Sequence, residues 1–216
     1  MLLELLILFA LALIVFIIRK DLHREMIVAG LLALPVLLIK PLISSNFLDV
    51  ATHNGGVFFF LLERALIGFF FGSLSSAIYE LVFSKRISPA KHPLRPKMLS
   101  LLIGVLAFGI TYLLFGVSFI NSLILALAID LILILFIRKD LVWDMIFSGT
   151  AMGILYLIIF VLTFRSFPGD ISNLWFSGVT TGINLFSVPV EELFAVVLFG
   201  SLWGPIYVAI KDIKEK

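Results

Sequence analysis

Cysteine is absent from this chain, which excludes disulfides, thiolate nucleophiles and sulfur-ligated metal sites together. Histidine is nearly as scarce. His23, His53 and His92 fall in separate loops without ligand spacing, so no histidine metal site is expected. No GxGxxG follows a strand pattern, and P-loop, HExxH and aspartate-rich diphosphate–magnesium motifs are all missing. The expected cofactor set is therefore none. Charge is sparse as well: 14% of residues are Asp, Glu, Lys or Arg, and the net charge is only +2. The basic residues sit mostly in loops, where they give no nucleic-acid signal and fit a rim facing the bilayer headgroups.

What the chain has instead is apolar length. It is 62% hydrophobic, against roughly 45–50% in soluble domains, and the excess lies in long runs. Seven segments approach the ~20 residues that a helix needs to cross ~30 Å of hydrocarbon. They are Leu2–Ile18, Met26–Leu42, Val57–Phe83, Met98–Val117, Phe119–Ile137, Val142–Phe164 and Val188–Ile210. The first lacks a basic leader and a cleavage site and is followed by Arg19-Lys20, so it reads as a retained span. Pro35 and Pro205 lie inside spans, where neighbouring helices can satisfy the freed carbonyls. Of 16 basic residues, only Lys40 and Arg165 fall in loops of one side, and Arg64 lies within a span. The remainder follow spans one, three, five and seven, which predicts an outside N-terminus and a cytoplasmic C-terminus in a multi-pass cell-membrane protein.

The chain also repeats itself. Arg19-Lys20-Asp21-Leu22, Glu25, Met26 and Gly30 match Arg138-Lys139-Asp140-Leu141, Asp144, Met145 and Gly149 at an offset of 119. Phe71-Gly72-Ser73-Leu74 and Ile78-Tyr79 match Phe199-Gly200-Ser201-Leu202 and Ile206-Tyr207 at an offset of 128. The expected architecture is thus an all-α membrane protein of seven transmembrane helices. Residues 1–97 form one three-helix repeat with its basic loop, 98–117 a linker helix, and 118–216 a second repeat parallel to the first. The stretch from Arg165 to Ser187, rich in aromatics, reads as an interfacial helix or re-entrant lid on the outer side.

Ionisable groups in such spans cost a few kcal/mol and default to function. Glu63 lies eight residues before Phe71, and Glu191 eight before Phe199. Glu191 and Glu192 follow Pro189, where a carboxylate could simply cap a helix N-terminus. Against that, the position recurs at Glu63 and is followed by aromatic rather than polar sequence. A carboxyl in apolar surroundings favours its neutral form, and two adjacent ones share a proton. Arg64 matches Glu192 and is expected either to meet Glu191 or Glu192 across the pseudo-twofold axis or to reach the outer interface along its stem. Asp130 is expected to line the same cavity or to bind Ser73 or Thr150. Glu4, Tyr79 and Tyr207 read as interfacial. The clusters Arg19/Asp21/Glu25 and Arg138/Asp140/Asp144 read as ion pairs at helix ends. Phenylalanine is over-used at 22 residues; most must face lipid, while Phe71, Phe194 and Phe199 could supply π-faces for a cation.

Pro189-Val190-Glu191-Glu192-Leu193-Phe194, with the duplicated unit around it, resembles the lycopene cyclase domain family of small membrane cyclases. The resemblance implies a redox-neutral isomerisation in which an acid protonates the ψ-end of a linear carotene and proton loss follows ring closure. Carried over, Glu191 and Glu192 become the acid and its partner. Glu63 is the acid retained in the first repeat, where Leu61 replaces the proline and Arg64 the second acid. Arg64, Pro189, Phe71, Phe194, Phe199 and Asp130 become substrate-binding candidates. The implied partners are an apolar polyene or isoprenoid in the bilayer, membrane lipid, and a possible second subunit or homodimer; nucleic acid is not among them. Related carotenoid hydratases would share the acid chemistry but capture the cation with water, and a non-catalytic carrier or assembly protein is the remaining alternative.

Overall fold

The computed structural model describes residues 2–43, 56–83, 87–89, 94–166, 181–211 and 213–215. About 89% of it is helical, in eight helices among the described residues. These are α1 (Leu2–Ile18), α2 (His23–Ile43), α3 (Val57–Phe83), α4 (Leu94–Gly109), α5 (Phe119–Ile137), α6 (Val142–Ser166), α7 (Val190–Trp203) and α8 (Ile206–Lys211). Short strands β1 (Ile87–Pro89), β2 (Asn184–Leu185), β3 (Val188–Pro189) and β4 (Ile213–Glu215) pair antiparallel, β1 with β4 and β2 with β3. The chain divides into two compact units, 1–77 and 78–216, with the division falling inside α3.

Among the described residues, four stretches are long and apolar enough to cross a membrane: Lys20–Ile39, Val57–Phe83, Phe119–Ile137 and Lys139–Thr163. Leu3–Ile18 and Leu101–Leu114 are apolar but shorter. The fourth segment leaves α-geometry at Gly109 and closes on a π turn, Ile110–Leu114. The seventh differs most from expectation, because Val188–Ile210 is not one helix. It begins as strand β3, runs as α7 to Trp203, and restarts at Ile206. Pro205 is the cause: it has no N–H to donate, and its ring collides with the carbonyl four residues back. Proline at position 35, by contrast, is carried inside an unbroken α2.

Within each unit the helices meet at small residues. In the first, a Cβ added to Gly72 would lie 2.5 Å from the Ala33 Cβ and 2.8 Å from the Ala29 carbonyl oxygen. Ser73 Oγ donates to the Met26 carbonyl at 2.8 Å. In the second, a Cβ on Gly200 would lie 2.7 Å from the Met152 Cβ and 3.0 Å from the Ser148 carbonyl oxygen. Gly149 abuts Ser201 in the same way that Gly30 abuts Ser73. The turns leading into α2 and α6 match too: Arg19 binds Asp21 and Arg138 binds Asp140, each at 2.8 Å, around 3-10 turns Lys20–Leu22 and Lys139–Leu141. Lipid chains are as apolar as leucine, so helices in a bilayer associate by close packing rather than by hydrophobic exclusion. These glycines permit that approach.

Gly72→Val and Gly200→Val should each lower stability by about 1–3 kcal/mol through overpacking. Gly109→Val, at a position with nothing within 4 Å, should change little. Thermal loss of the folded, detergent-solubilised protein separates the two classes.

Candidate active site

The site begins with the register of α6 against α7. Gly149, Met152 and Gly153 on α6 face Leu193, Val197, Gly200 and Ser201 on α7, and Ser148 faces Gly204 beyond the end of that helix. The chains run in opposite senses, so each helical turn forward on α6 moves one turn back on α7. One turn past Gly153 lies Tyr156, and one turn before Leu193 lies the start of α7. There the Tyr156 hydroxyl donates to Glu192 Oε2 at 3.0 Å. Both side chains are buried; Glu192 keeps only 2% of its surface and Tyr156 8%. Tyr156 also sits beside Phe160, ring centroids 6.0 Å apart.

Glu191 is placed differently. Pro189 is the N-cap of α7, with no side-chain capping bond, and the two glutamates occupy the first turn where unpaired amides favour negative charge. Glu191 Oε1 accepts from the Thr181 backbone N–H at 2.6 Å, while its Oε2 is buried and finds no hydrogen-bond partner among the described residues. Thr181 leads into the β2–β3 hairpin, whose two turn residues, Phe186 and Ser187, have φ of 52° and 71°. Positive φ at both central positions is the type I′ geometry, usually given to Asn-Gly. Val190 N–H closes the hairpin on the Ile183 carbonyl at 3.1 Å. Of the stretch expected to be an interfacial helix or re-entrant lid, residues 181–187 belong to a tight hairpin, and residues 167–180, with Phe167, Trp175 and Phe176, lie outside the described residues.

The other candidates are distributed. Phe199 is buried and stacked on Trp203 at 4.3 Å, whereas Phe194 is 52% exposed. These two rings do not share one environment. Asp130 is buried in α5 with its carboxyl pressed on Gly104 of α4, and Oδ1 has no hydrogen-bond partner among the described residues. Of the expected hydroxyls, Thr150, in the same unit, donates to the Ile146 carbonyl at 2.8 Å, and Ser73, in the other unit, donates to the Met26 carbonyl. In the first unit, Glu63 lies half-buried on α3 with Oε1 unbonded among the described residues. Arg64 is buried, its guanidinium 5.3 Å from the centre of the Phe60 ring, and Phe71 is buried as well. Glu4, Tyr79 and Tyr207, read as interfacial from the sequence, are all buried, and Tyr79 packs on Phe83 and Phe147. Helix packing claims these side chains before the interface can.

Tyr156 is the contact of Glu192 that the sequence does not signal. A tyrosine inside Ile154–Phe160 reads as one more ring in an apolar run, and only the helix-to-helix register exposes its partner.

A family model described as lycopene cyclase matches residues 1–74 and 117–210. The chain belongs to the lycopene cyclase family. No curated protein and no solved structure matches it. The matched regions hold Glu63, Arg64, Tyr156, Glu191 and Glu192, and they omit the end of α3, the basic loop and all of α4.

Glu191→Ala should release the hairpin from α7. Exchange of the Thr181 amide should speed up by roughly three- to tenfold, as for loss of one ordinary hydrogen bond; hydrogen–deuterium exchange with fragment mass analysis reads it.

Proposed function

We propose that this protein cyclises the ψ-end of a linear carotenoid by acid catalysis, with Glu192 of the Glu191–Glu192 pair supplying the proton. The observation that carries the reading is the buried Glu192–Tyr156 pair at the start of a helix in a lycopene cyclase family chain. The carboxyl proton adds to the terminal double bond, and the next π-bond attacks the resulting cation to close the ring. A ring carbon then gives a proton back to the carboxylate, so the product is an isomer and no redox partner is needed. Glu192 is nearly closed to solvent, which favours ring closure over capture of the cation by water. The hairpin that Glu191 holds presents the exposed side chains of Ile183 and Phe186 next to the glutamate pair.

The proposed frame is seven membrane crossings in tandem three-helix units, with the N-terminus outside. Two observations support it. The Gly–Ser contacts and the Arg–Asp turns recur at equivalent positions of the two units. The β1–β4 pairing joins the basic loop after α3 to the C-terminal tail, which requires both on one side of the bilayer. A reporter fused after Lys216 should accordingly fluoresce in the cytoplasm, and a periplasmic phosphatase fused there should be inactive.

The reaction is tested in a host that accumulates lycopene. The wild-type chain should yield cyclic carotenes, and Glu192→Gln should lower them by about 100-fold or more, the usual contribution of a general acid. Hydroxylated linear products would assign the chain to hydration. Unchanged lycopene beside folded membrane protein would overturn the carotenoid assignment for this chain alone.

A further inference from the structure

The terminal torsion of a glutamate is broad and nearly two-fold, so either oxygen of a neutral carboxyl can carry the proton unless a neighbour distinguishes them. At Glu192 a neighbour does: Tyr156 donates to Oε2 at 3.0 Å. An oxygen that accepts this bond is the carbonyl oxygen of the neutral acid. We propose that Tyr156 is a positioning residue, whose hydroxyl fixes Oε2 as the acceptor and places the transferable proton of Glu192 on Oε1. This assignment rests on the cyclisation reading.

Three observations support it. The hydroxyl cannot drift, because α6 and α7 touch at Gly149, Gly153 and Gly200, where an added Cβ would overlap the facing helix. The tyrosine ring is buried in an otherwise apolar stretch, where its O–H needs a partner, and the carboxyl is that partner. The third lies in the first unit. By the same offsets, Leu37 stands in the place of Tyr156 and Arg64 in the place of Glu192. Leu37 lies between the equivalent helices of that unit, where a Cβ on Gly68, one turn past Arg64, would meet its Cβ at 3.2 Å. The unit without the second acid is also without the hydroxyl.

In the reaction, the Oε1–H bond breaks as a C–H bond forms at the terminal alkene, and the π-electron pair of that alkene makes the new bond. The cation is quenched by the ring-closing π-bond, and the proton lost from the ring returns to the carboxylate. Tyr156 keeps its own proton throughout, donating first to the acid and then to its conjugate base.

Tyr156→Phe deletes the hydroxyl and retains the ring beside Phe160. Infrared spectra of the protein in lipid nanodiscs should show a protonated-carboxyl C=O band that Glu192→Gln abolishes. In Tyr156→Phe that band should move to higher frequency, as a carbonyl does when it loses a hydrogen bond, and cyclic product should fall about tenfold. A purely structural role for the tyrosine would change protein yield and leave the band in place. No band lost in Glu192→Gln, or a band unmoved in Tyr156→Phe, would overturn the positioning role whatever the activity. A band that shifts in Tyr156→Phe, where the wild-type protein makes no cyclic product, would leave the positioning of Glu192 standing and remove the cyclisation reading.

Discussion

Backbone proximity between α6 and α7 is the constraint on which the site depends. Water drives helices together in a soluble protein, but hydrocarbon offers no such gain, so contact has to come from atoms that fit. Gly149, Gly153 and Gly200 supply the fit by leaving no side chain between the two backbones. Once they are in contact, the register is set for the whole length of the pair, and the Tyr156–Glu192 bond follows as its next rung. A shift of one turn along either helix would leave a buried carboxyl facing alkyl chains, at a cost of several kcal/mol. Packing and chemistry are thus coupled through one seam.

Much of this was legible in the residues. Apolar run length marked the helices, and the paired Gly-Ser motifs marked a repeat whose members turn out to lie at helix contacts. Pro189-Val190-Glu191-Glu192 marked the start of the decisive helix. Three features escaped for physical reasons. Tyr156 carries no local signal, since its meaning lies 36 residues away on the facing helix. The hairpin before α7 places Phe186 and Ser187 in backbone positions that normally select glycine or asparagine, so the usual turn signature is missing. The interruption at Gly204-Pro205 hinged on whether neighbours would carry a proline through the helix. They do so at Pro35 and not at Pro205, and residue type alone does not distinguish the two.

The hairpin has a further implication. A non-glycine residue in left-handed backbone costs of order 1 kcal/mol or more, and two in succession persist only where their surroundings hold them. Here the holding contacts are the Val190–Ile183 bond and the Thr181–Glu191 bond, both ending on the first turn of α7. The strained turn, the proline cap and the two glutamates therefore form one assembly, in which Glu191 secures the hairpin and Glu192 faces the buried tyrosine. Adjacent glutamates that look equivalent in the sequence are given different work by the direction each side chain takes from the helix.

The two units make the same argument by contrast. Both use glycine and serine to bring their second and third helices together. Only the second places a hydroxyl and a carboxyl where the seam ends; the first has Leu37 and Arg64 at those positions. A bond between two buried polar groups adds little net stability, roughly 0.5–1.5 kcal/mol, and an all-apolar contact would hold the helices as well. Stability therefore gives no reason for Tyr156 and Glu192 to be present in one unit and absent in the other. The proposed proton chemistry would, because one buried acid is sufficient to start a cation at one end of a chain, and a second such pair would add the cost of burial again.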